Sequence, residues 1–208
     1  GGSIRGIYNK KAINILLKLI YHKRLDKKNT IFHVHGCYKV LSLYPLIELS
    51  RKGFKLLFFL HDYFYVCPNG VFYHYKKHKT CSLRPISLQC ISSNCDSRSF
   101  PHKIWRIMRM LFNTKIAQKN KYIDNFIAVS SFSKNIFQKY LHEDSNVILL
   151  NNPVVPFGQF RITVEENDRY LFIGRVACEK GILLFVQALT QLGLNGDVIG
   201  DGPLFEKI

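Results

Sequence analysis

The sequence is poor in acidic residues. It has 14 Asp and Glu against 30 Lys and Arg, which gives a formal net charge of +16 at pH 7. Residues 1–95 hold 16 of the basic residues and only three acids, Asp26, Glu48 and Asp62. A field of one sign attracts partners that carry phosphate, such as a nucleotide, a nucleic acid or an anionic lipid, without choosing among them.

Other patterns are absent, and each absence argues against a class of protein. No apolar run reaches the roughly 18–20 residues that cross a bilayer, and the run at 54–60 predicts a buried strand instead. No G-x-S-x-G elbow occurs, which argues against a Ser-His-Asp hydrolase. No Asp-x-Asp pair occurs, so we expect no catalytic divalent metal and no other cofactor for catalysis.

What is present is an alternation of strand and helix patterns. Strands are predicted at 30–35, 54–60, 126–129 and 147–150, and helices at 12–20, 40–52, 102–121 and 133–141. This alternation predicts an α/β fold with a parallel sheet. The turn signal at 151–153 predicts a boundary between a first domain at 1–153, with a Cys-rich loop at 63–99, and a second at 154–208.

The stretch from Gly174 to Gly181 joins a predicted strand at 170–173 to an apolar helix that follows it. Helix N-termini at strand ends favour anionic ligands, because free N–H groups and the helix dipole meet there. Gly174, Arg175 and Lys180 therefore predict a clamp for a diphosphate. A surface loop with two solvated cations is the competing interpretation.

A second Gly-rich turn follows about twenty residues later. The segment V-I-G-D-G-P predicts a strand that ends in this turn, and Pro203 suits the first turn of a new helix. The dinucleotide-binding fingerprint would need a third glycine where Phe205 stands, so we expect no NAD or FAD site.

Taken together, G-R-V-A-C-E-K-G and V-I-G-D-G-P resemble the donor-binding domain of family 4 glycosyltransferases. The segments I-F-H-V-H-G, L-L-F-F-L-H-D-Y, F-I-A-V-S-S-F-S and V-I-L-L-N-N-P-V resemble landmarks of that family's first domain, in the same order. The resemblance implies two Rossmann-like domains that face a cleft (the GT-B arrangement). It also implies truncation at both ends and an incomplete second domain, because the family's acidic pair would lie beyond Ile208.

The same resemblance implies a function. Family members transfer a sugar, with retention, from a UDP- or GDP-linked donor to a glycan or lipid-linked acceptor in polysaccharide biosynthesis. It assigns Arg175 and Lys180 to the donor diphosphate and places His61 beside the transferred sugar. A cytoplasmic location, at the inner face of the cytoplasmic membrane, is expected.

The first-domain site residues follow strand ends, where ligands bind in open parallel sheets. His61 and Asp62 follow one strand, and His35 and Gly36 end the strand before it. His61 is the expected catalytic residue, with a hydrogen-bonded structural histidine as the alternative. Asp62, His35 and Gly36 are expected in the cleft that holds acceptor and donor.

Two neighbouring positions are less specific. Ser130 lies between a strand and a helix, where it could contact acceptor, although helix capping by Ser131 or Ser133 is favoured for this serine cluster. His33 is expected to face away from His35 and is left out of the site.

Four cysteines, Cys67, Cys81, Cys90 and Cys95, fall within the predicted loop at 63–99. Four thiols can hold a structural zinc, but spacings of 13, 8 and 4 intervening residues do not match paired C-x₂-C motifs. Three states stay open on the sequence alone: a structural zinc, free thiols, or disulfides. A long loop with little apolar content needs some internal tie.

The predicted helix around Trp105 combines apolar positions with five cations, Lys103, Arg106, Arg109, Lys115 and Lys119. This pattern indicates a helix that packs on the sheet and is attracted loosely to an anionic membrane. Two further alternatives are a basic, zinc-stapled nucleic-acid-binding module and an inactive glycosyltransferase-like scaffold. Nucleic acid is not the expected partner, because the basic residues are not grouped on a recognition element.

Overall fold

A computed structural model describes residues 6–38, 41–116, 119–155, 158, 161 and 163–208. The contacts divide the chain into two compact units. The first unit comprises residues 1–76 and 80–153, and the second comprises residues 154–208 together with 77–79.

The first unit contains a four-stranded sheet in which every strand pair is parallel. The described strands, in chain order, are β1 (Ile31–His35), β2 (Lys55–Leu60), β3 (Tyr73–His74), β4 (Lys79–Thr80), β5 (Asn125–Ala128) and β6 (Asn146–Leu149). The large sheet has the order β1-β2-β5-β6, and β3 and β4 form a separate two-stranded sheet. The predicted α/β class with a parallel sheet is confirmed.

The strand order determines where the helices lie. The helices are α1 (Lys10–His22), α2 (Tyr44–Arg51), α3 (Leu88–Ser92), α4 (Phe100–Leu111), α5 (Lys119–Tyr122) and α6 (Ser131–Gln138). Right-handed crossovers that always step in the same direction place their connections on one face of the sheet. Within the described strands the order never reverses, so this sheet has no internal switch point of the kind that forms a ligand crevice.

The hydrophobic core lies on that covered face. Phe58 and Leu60 of β2 and Phe126 of β5 are almost fully buried and belong to one core cluster with side chains of α2. On the opposite face Phe59 is half-buried and Ile148 is 47% exposed. Alternation along each strand therefore produces one apolar face under the helices and one partly open face.

The single helix predicted over 102–121 is interrupted. Helix α4 starts after Ser99, whose hydroxyl accepts a hydrogen bond from His102 N at 3.4 Å. It runs into a π-helical turn at Phe112–Ile116, and α5 follows at Lys119–Tyr122. Such π-turns shift the direction in which the following side chains point.

The basic residues of this region point inward. Lys103 is fully buried and donates to the carbonyls of Cys90 and Ser93. Arg106 donates to Asn69 O at 3.2 Å, and Arg109 to Tyr38 O at 3.2 Å. These three cations are therefore not part of a solvated basic face, because each one donates to a backbone carbonyl of the first unit. The loose attraction of this region to an anionic membrane stays a prediction.

Lys119 follows the same pattern. It is 5% exposed, donates to Tyr65 O, and its ammonium lies 3.8 Å from the centre of the Tyr65 ring. The aromatic face and the carbonyl together replace part of the water that the cation loses on burial.

The segment predicted as a loop poor in apolar content is tightly folded. Tyr65 is 1% exposed and packs edge-on against Phe58 and Phe126 of the core. Asn69, 3% exposed, donates to Tyr73 O at 2.7 Å and to Cys95 O at 3.3 Å. This amide thus joins the two ends of the segment.

One carboxylate is buried with these cations. Asp96 is fully buried and pairs with Arg106 at 3.1 Å and with His102 at 3.3 Å. Its Oδ1 also accepts from Arg98 N at 2.9 Å. A buried charge is tolerated when it is paired and hydrogen-bonded in this way.

The second unit has a two-stranded parallel sheet in the described part of the chain. Its elements are β7 (Arg169–Ile173), α7 (Ile182–Leu192) and β8 (Asn195–Ile199), with 3₁₀ turns at Val164–Glu166, Cys178–Lys180 and Phe205–Lys207. Arg169 Nε donates to Asp197 Oδ2 across the two strands at 2.8 Å. Apolar side chains of both strands and the helix remain exposed, among them Ile173 at 70% and Leu184 at 73%.

Two further findings concern helices. The helix expected to begin at Pro203 is a single 3₁₀ turn at Phe205–Lys207. Among the described residues, no helix is both long and apolar enough to cross a membrane.

Substitution of Lys103 by Met should strongly destabilise the first unit. The variant leaves two carbonyl acceptors without their donor, and each buried unpaired acceptor costs about 1–3 kcal/mol. The matched control is Lys115→Met, because Lys115 is exposed and lies about three helical turns further along the same region. We expect a large fall in the free energy of unfolding by urea denaturation for Lys103→Met and a small one for Lys115→Met; equal effects would contradict the inward assignment.

Lys119 should make the stability depend on pH. Burial lowers the pKa of Lys119 to about 7, whereas a lysine in an unfolded chain titrates at about 10.4. Between these values the unfolded chain holds a proton that the folded chain has released, so the free energy of unfolding rises with pH. Below the folded value both forms are protonated, and the full cost of burying the charge is present.

The measurement compares the wild type with Lys119→Met between pH 7 and 8.5. The free energy of unfolding of the wild type should rise relative to the variant by about 1 kcal/mol per pH unit. The comparison removes the contribution of other groups, such as the Cys37 thiol, whose pKa burial raises to about 12. Parallel pH profiles for the two proteins would show that Lys119 is solvated and charged.

Candidate functional site

The carboxyl ends of the parallel strands bring several predicted site residues to one edge of the first unit. In the register of the sheet, His35 lies opposite Phe59 and Leu60 lies opposite Ala128. His61 and Ser130, which follow these strands, therefore leave the sheet at the same edge. Helix α6 and the turn at 62–70 begin there as well.

Two histidines form the centre of this edge. His35 Nδ1 and His61 Nε2 are 2.9 Å apart, which is hydrogen-bond distance. The two rings are stacked, with centroids 5.2 Å apart. Two residues predicted from separate strand ends are thus in direct contact.

The hydrogen bond constrains the protonation of the pair. The pKa of His35 is lowered, first by desolvation and then by the neighbouring His61 and His33. One of the two facing nitrogens must carry the proton and the other must accept it. Because His61 uses Nε2 in this contact, its Nδ1 is the nitrogen left to meet a ligand.

An aromatic residue missed by the sequence analysis supports the pair. The Phe59 ring stacks on His35 with centroids 4.1 Å apart, and its plane is inclined by 14° to that of His61. His33 also contacts Phe59, at 5.7 Å between centroids. The expectation that His33 faces elsewhere is wrong, since residues two apart in a strand share a face.

The residues next to the histidines shape the backbone. Gly36 has φ +53°, a left-handed conformation that favours glycine, and a Cβ there would meet no atom within 4 Å. Asp62 Oδ1 accepts from Phe64 N at 3.1 Å and so fixes the start of the turn at 62–70. Tyr63 N closes that turn by donating to Gly70 O at 3.0 Å.

Ser130 acts as the helix cap. Its hydroxyl accepts from Ser133 N at 3.1 Å, and Ser133 Oγ accepts from Ser130 N at 3.2 Å, which forms a reciprocal capping box for α6. The favoured capping function is therefore present, but the cap residue is Ser130, with Ser133 as its partner. Ser130 is half-buried at the edge that carries the histidine pair.

In the second unit, the two Gly-containing loops are joined backbone to backbone. Gly174 N donates to Ile199 O at 3.0 Å, Val176 N to Asp201 O at 2.9 Å, and Leu204 N to Val176 O at 3.1 Å. Val176 is fully buried by this contact. The two motifs singled out from the sequence therefore form one structural element.

The close packing of the two loops explains why glycine occupies positions 200 and 202. A Cβ on Gly200 would lie 1.9 Å from Gly174 O, and one on Gly202 would lie 2.3 Å from Val176 O. No side chain fits between loops that approach this closely. The Gly-Asp-Gly sequence is thus explained by loop contact alone, before any ligand is considered.

Arg175 and Lys180 are both exposed; Arg175 lies before the 3₁₀ turn at Cys178–Lys180 that precedes α7, and Lys180 is its last residue. Gly181 caps this helix with φ +80°. Arg175 pairs with Glu179 at 3.6 Å, in a solvent-exposed geometry that contributes little to stability. An anion at this loop would therefore displace or share a weak ion pair.

The four cysteines lie in and around the segment tied by Asn69. Cys67, Cys90 and Cys95 are buried and Cys81 is half-buried, all as free thiols. Burial raises the pKa of Cys67 and of Cys95, and the nearby Lys103 offsets part of the shift of Cys95. In the part of the chain that the structure describes, no three His, Cys, Asp or Glu side chains are grouped to hold a metal ion. A structural zinc in this segment stays a prediction.

Substituting Gly200 by Ala should destabilise the second unit more than the same change at Gly193. Both glycines have positive φ, but only the Gly200 Cβ meets backbone; Gly193 has open space. The Gly193→Ala change should cost about 1 kcal/mol, and Gly200→Ala several times more. Proteolysis of the second unit, followed over time, compares the two variants; equal cleavage rates would contradict the loop contact.

Comparison of the chain with protein-family models, with curated proteins and with solved structures found no match. The resemblance to family 4 glycosyltransferases therefore depends on the sequence motifs.

Proposed function

We propose that the chain is part of a retaining glycosyltransferase of the two-Rossmann-domain type, which uses a nucleotide diphosphate sugar as donor. The acceptor would be a hydroxyl of a glycan or of a lipid-linked sugar. The observation that carries the proposal is the second-unit loop pair, in which two exposed cations flank the N-terminus of an apolar helix.

This loop pair suits a diphosphate for three reasons. The first turn of α7 leaves backbone N–H groups without partners inside the helix. Arg175 offers a guanidinium fork and Lys180 a mobile ammonium beside that turn. Backbone hydrogen bonds to the 199–204 loop fix the start of the cation-bearing loop, so Arg175 follows a rigid anchor.

The proposed reaction needs no protein nucleophile. The acceptor oxygen bonds to the anomeric carbon as the bond from that carbon to the donor phosphate oxygen breaks. The acceptor proton passes to a donor phosphate oxygen on the same face, which retains the configuration. Arg175 and Lys180 stabilise the negative charge that develops on the leaving diphosphate.

In this proposal the carboxyl edge of the first unit contacts the sugars. His61 presents its Nδ1 because His35 engages Nε2 at 2.9 Å. The Phe59 ring stacks on the His35 ring and so supports its position. His35, Gly36, Asp62 and Ser130 line or shape the same edge.

The alternative of a nucleic-acid-binding module has less support. Lys103, Arg106, Arg109 and Lys119, which contribute to the basic count, donate to carbonyls inside the first unit. Cations used in this way are not free to neutralise phosphates along a strand.

The test is a calorimetric titration with UDP and with GDP. The double variant Arg175→Ala/Lys180→Ala should bind the preferred nucleotide on the order of 100-fold more weakly, because it loses two charge-assisted contacts. Arg161→Ala/Lys207→Ala removes two other exposed cations of the second unit and is the matched control. His61→Ala should leave nucleotide affinity unchanged, since that side chain is assigned to the sugar.

Undiminished binding by the Arg175/Lys180 double variant would remove the diphosphate assignment. Equal weakening in the control pair would show that only the overall charge attracts nucleotide.

A further inference from the structure

The first unit contains a cavity that lies away from the carboxyl edge of the sheet. Its volume is about 500 Å³. The loop at 82–86, the end of α4 with the π-helical turn, α5 and the carboxyl end of α6 enclose it. None of the residues discussed above as candidate site residues lines it.

The position separates this cavity from the histidine pair. Helix α6 begins at Ser130, at the carboxyl edge of the sheet, and the cavity is lined by Lys139, Tyr140 and Leu141 just beyond its last turn. A helix of eight residues is about 12 Å long. The two sites therefore lie at opposite ends of this helix.

The charges that line the cavity are all positive. Arg84, Lys119 and Lys139 contribute to the lining, and no Asp or Glu does. Arg84 and Lys139 form no ion pair with any residue that the structure describes. Three cations around one concave space, without a carboxylate, favour an anion as occupant.

Lys119 distinguishes this cavity from a patch of surface lysines. Its side chain is held at one place by Tyr65 O and by the Tyr65 ring, and only 5% of the residue is exposed. A cation fixed in this way loses little side-chain entropy when it meets a ligand. It provides a preorganised donor at the buried wall, which is positive when the ammonium is protonated, and a phosphate bound nearby favours that charged form.

The other walls suit an apolar or aromatic body. Val66, Pro85, Ile86, Met110 and Leu141 supply apolar surface, and Tyr65 and Tyr140 supply rings. Hydroxyls of Ser82 and Thr114 add hydrogen-bonding groups. The volume falls within the 300–1,000 Å³ that is usual for small-molecule sites.

We propose that this cavity binds a small phosphate monoester with an aromatic or compact apolar body. A dianion matches three cations better than a monoanion does, and guanidinium recognises phosphate oxygens bidentately. Arg84 and Lys139, whose side chains donate to no backbone carbonyl that the structure describes, bind the phosphate, Lys119 adds positive potential at the buried wall, and the apolar wall receives the body. The site is independent of the nucleotide-sugar proposal, because it shares none of its residues.

The experiment uses the whole chain and phenyl phosphate as the probe, followed by ¹H–¹⁵N NMR titration at fixed ionic strength. Three comparison ligands separate the contributions: inorganic phosphate lacks the body, phenylacetate is a monoanion, and benzyl alcohol is neutral. Each of these three ligands should bind at least about tenfold more weakly than phenyl phosphate. The chemical-shift changes that phenyl phosphate causes should be confined to residues of the cavity.

Matched variants test the residues. Arg84→Gln/Lys139→Gln should weaken phenyl phosphate at least about tenfold, which corresponds to about 1.4 kcal/mol. Lys52→Gln/Lys134→Gln removes the same charge from positions that do not line the cavity and should bind like the wild type. Both double variants should keep the wild-type amide spectrum outside the cavity, which shows that they fold.

Three results would overturn the proposal. One is equal affinity for phenyl phosphate and inorganic phosphate, which indicates diffuse attraction to charge. Another is equal weakening by the two double variants. The third is tight, salt-sensitive binding of a short RNA that is lost in Arg84→Gln/Lys139→Gln while phenyl phosphate does not bind, which assigns the cations to a nucleic-acid surface.

Discussion

The first unit depends on buried and half-buried cations that donate to backbone carbonyls. Lys103, Arg106, Arg109 and Lys119 come from one stretch of chain, and each donates to a carbonyl at least 10 residues earlier in the sequence. A carbonyl buried without a donor is costly, and so is an ammonium buried without an acceptor. Each group removes the cost of the other, so the loss of either partner destabilises both the segment and the helix region.

This arrangement is what places the candidate site. The turn at 62–70 follows the strand that delivers His61, and it is held from outside by Arg106 at Asn69 and by Lys119 at Tyr65. The Tyr65 ring is in turn part of the core beneath the sheet. A rigid support on this side keeps His61 in contact with His35 without requiring any direct bond between the histidines and the basic helix.

Much of the fold followed from the sequence because it depends on short-range patterns. The β2 pattern and the His-Asp pair after it predicted both a strand and a side chain at its carboxyl end, and the structure has both. The contact between His35 and His61 could be expected, since neighbouring parallel strands end together. Phe59 and His33 were missed, although the two-residue period of a strand was enough to place them with His35.

Other features could not be predicted, because they depend on partners far apart in the chain. A helical wheel shows where Lys103 and Arg106 lie on the helix, but it does not show that they donate to the carbonyls of residues 90, 93 and 69. The glycines of the second unit suggested a phosphate loop, whereas the lack of room for a Cβ on Gly200, which would lie 1.9 Å from Gly174 O, depends on the tertiary contact between the two loops. The capping serine depended on where α6 begins, because the helix was predicted from residue 133 and begins two residues earlier, at Ser131.

Hydrogen exchange of backbone amides tests the central claim, that the segment at 63–76 and 80–99 is an integral part of the folded first unit. The amides of Cys67, Gly70 and Cys81 donate to carbonyls within this segment, and they should exchange as slowly as those of β2 and β5. Such protection requires opening of the whole unit for exchange. Exchange of these amides within seconds, while the sheet stays protected, would contradict the account.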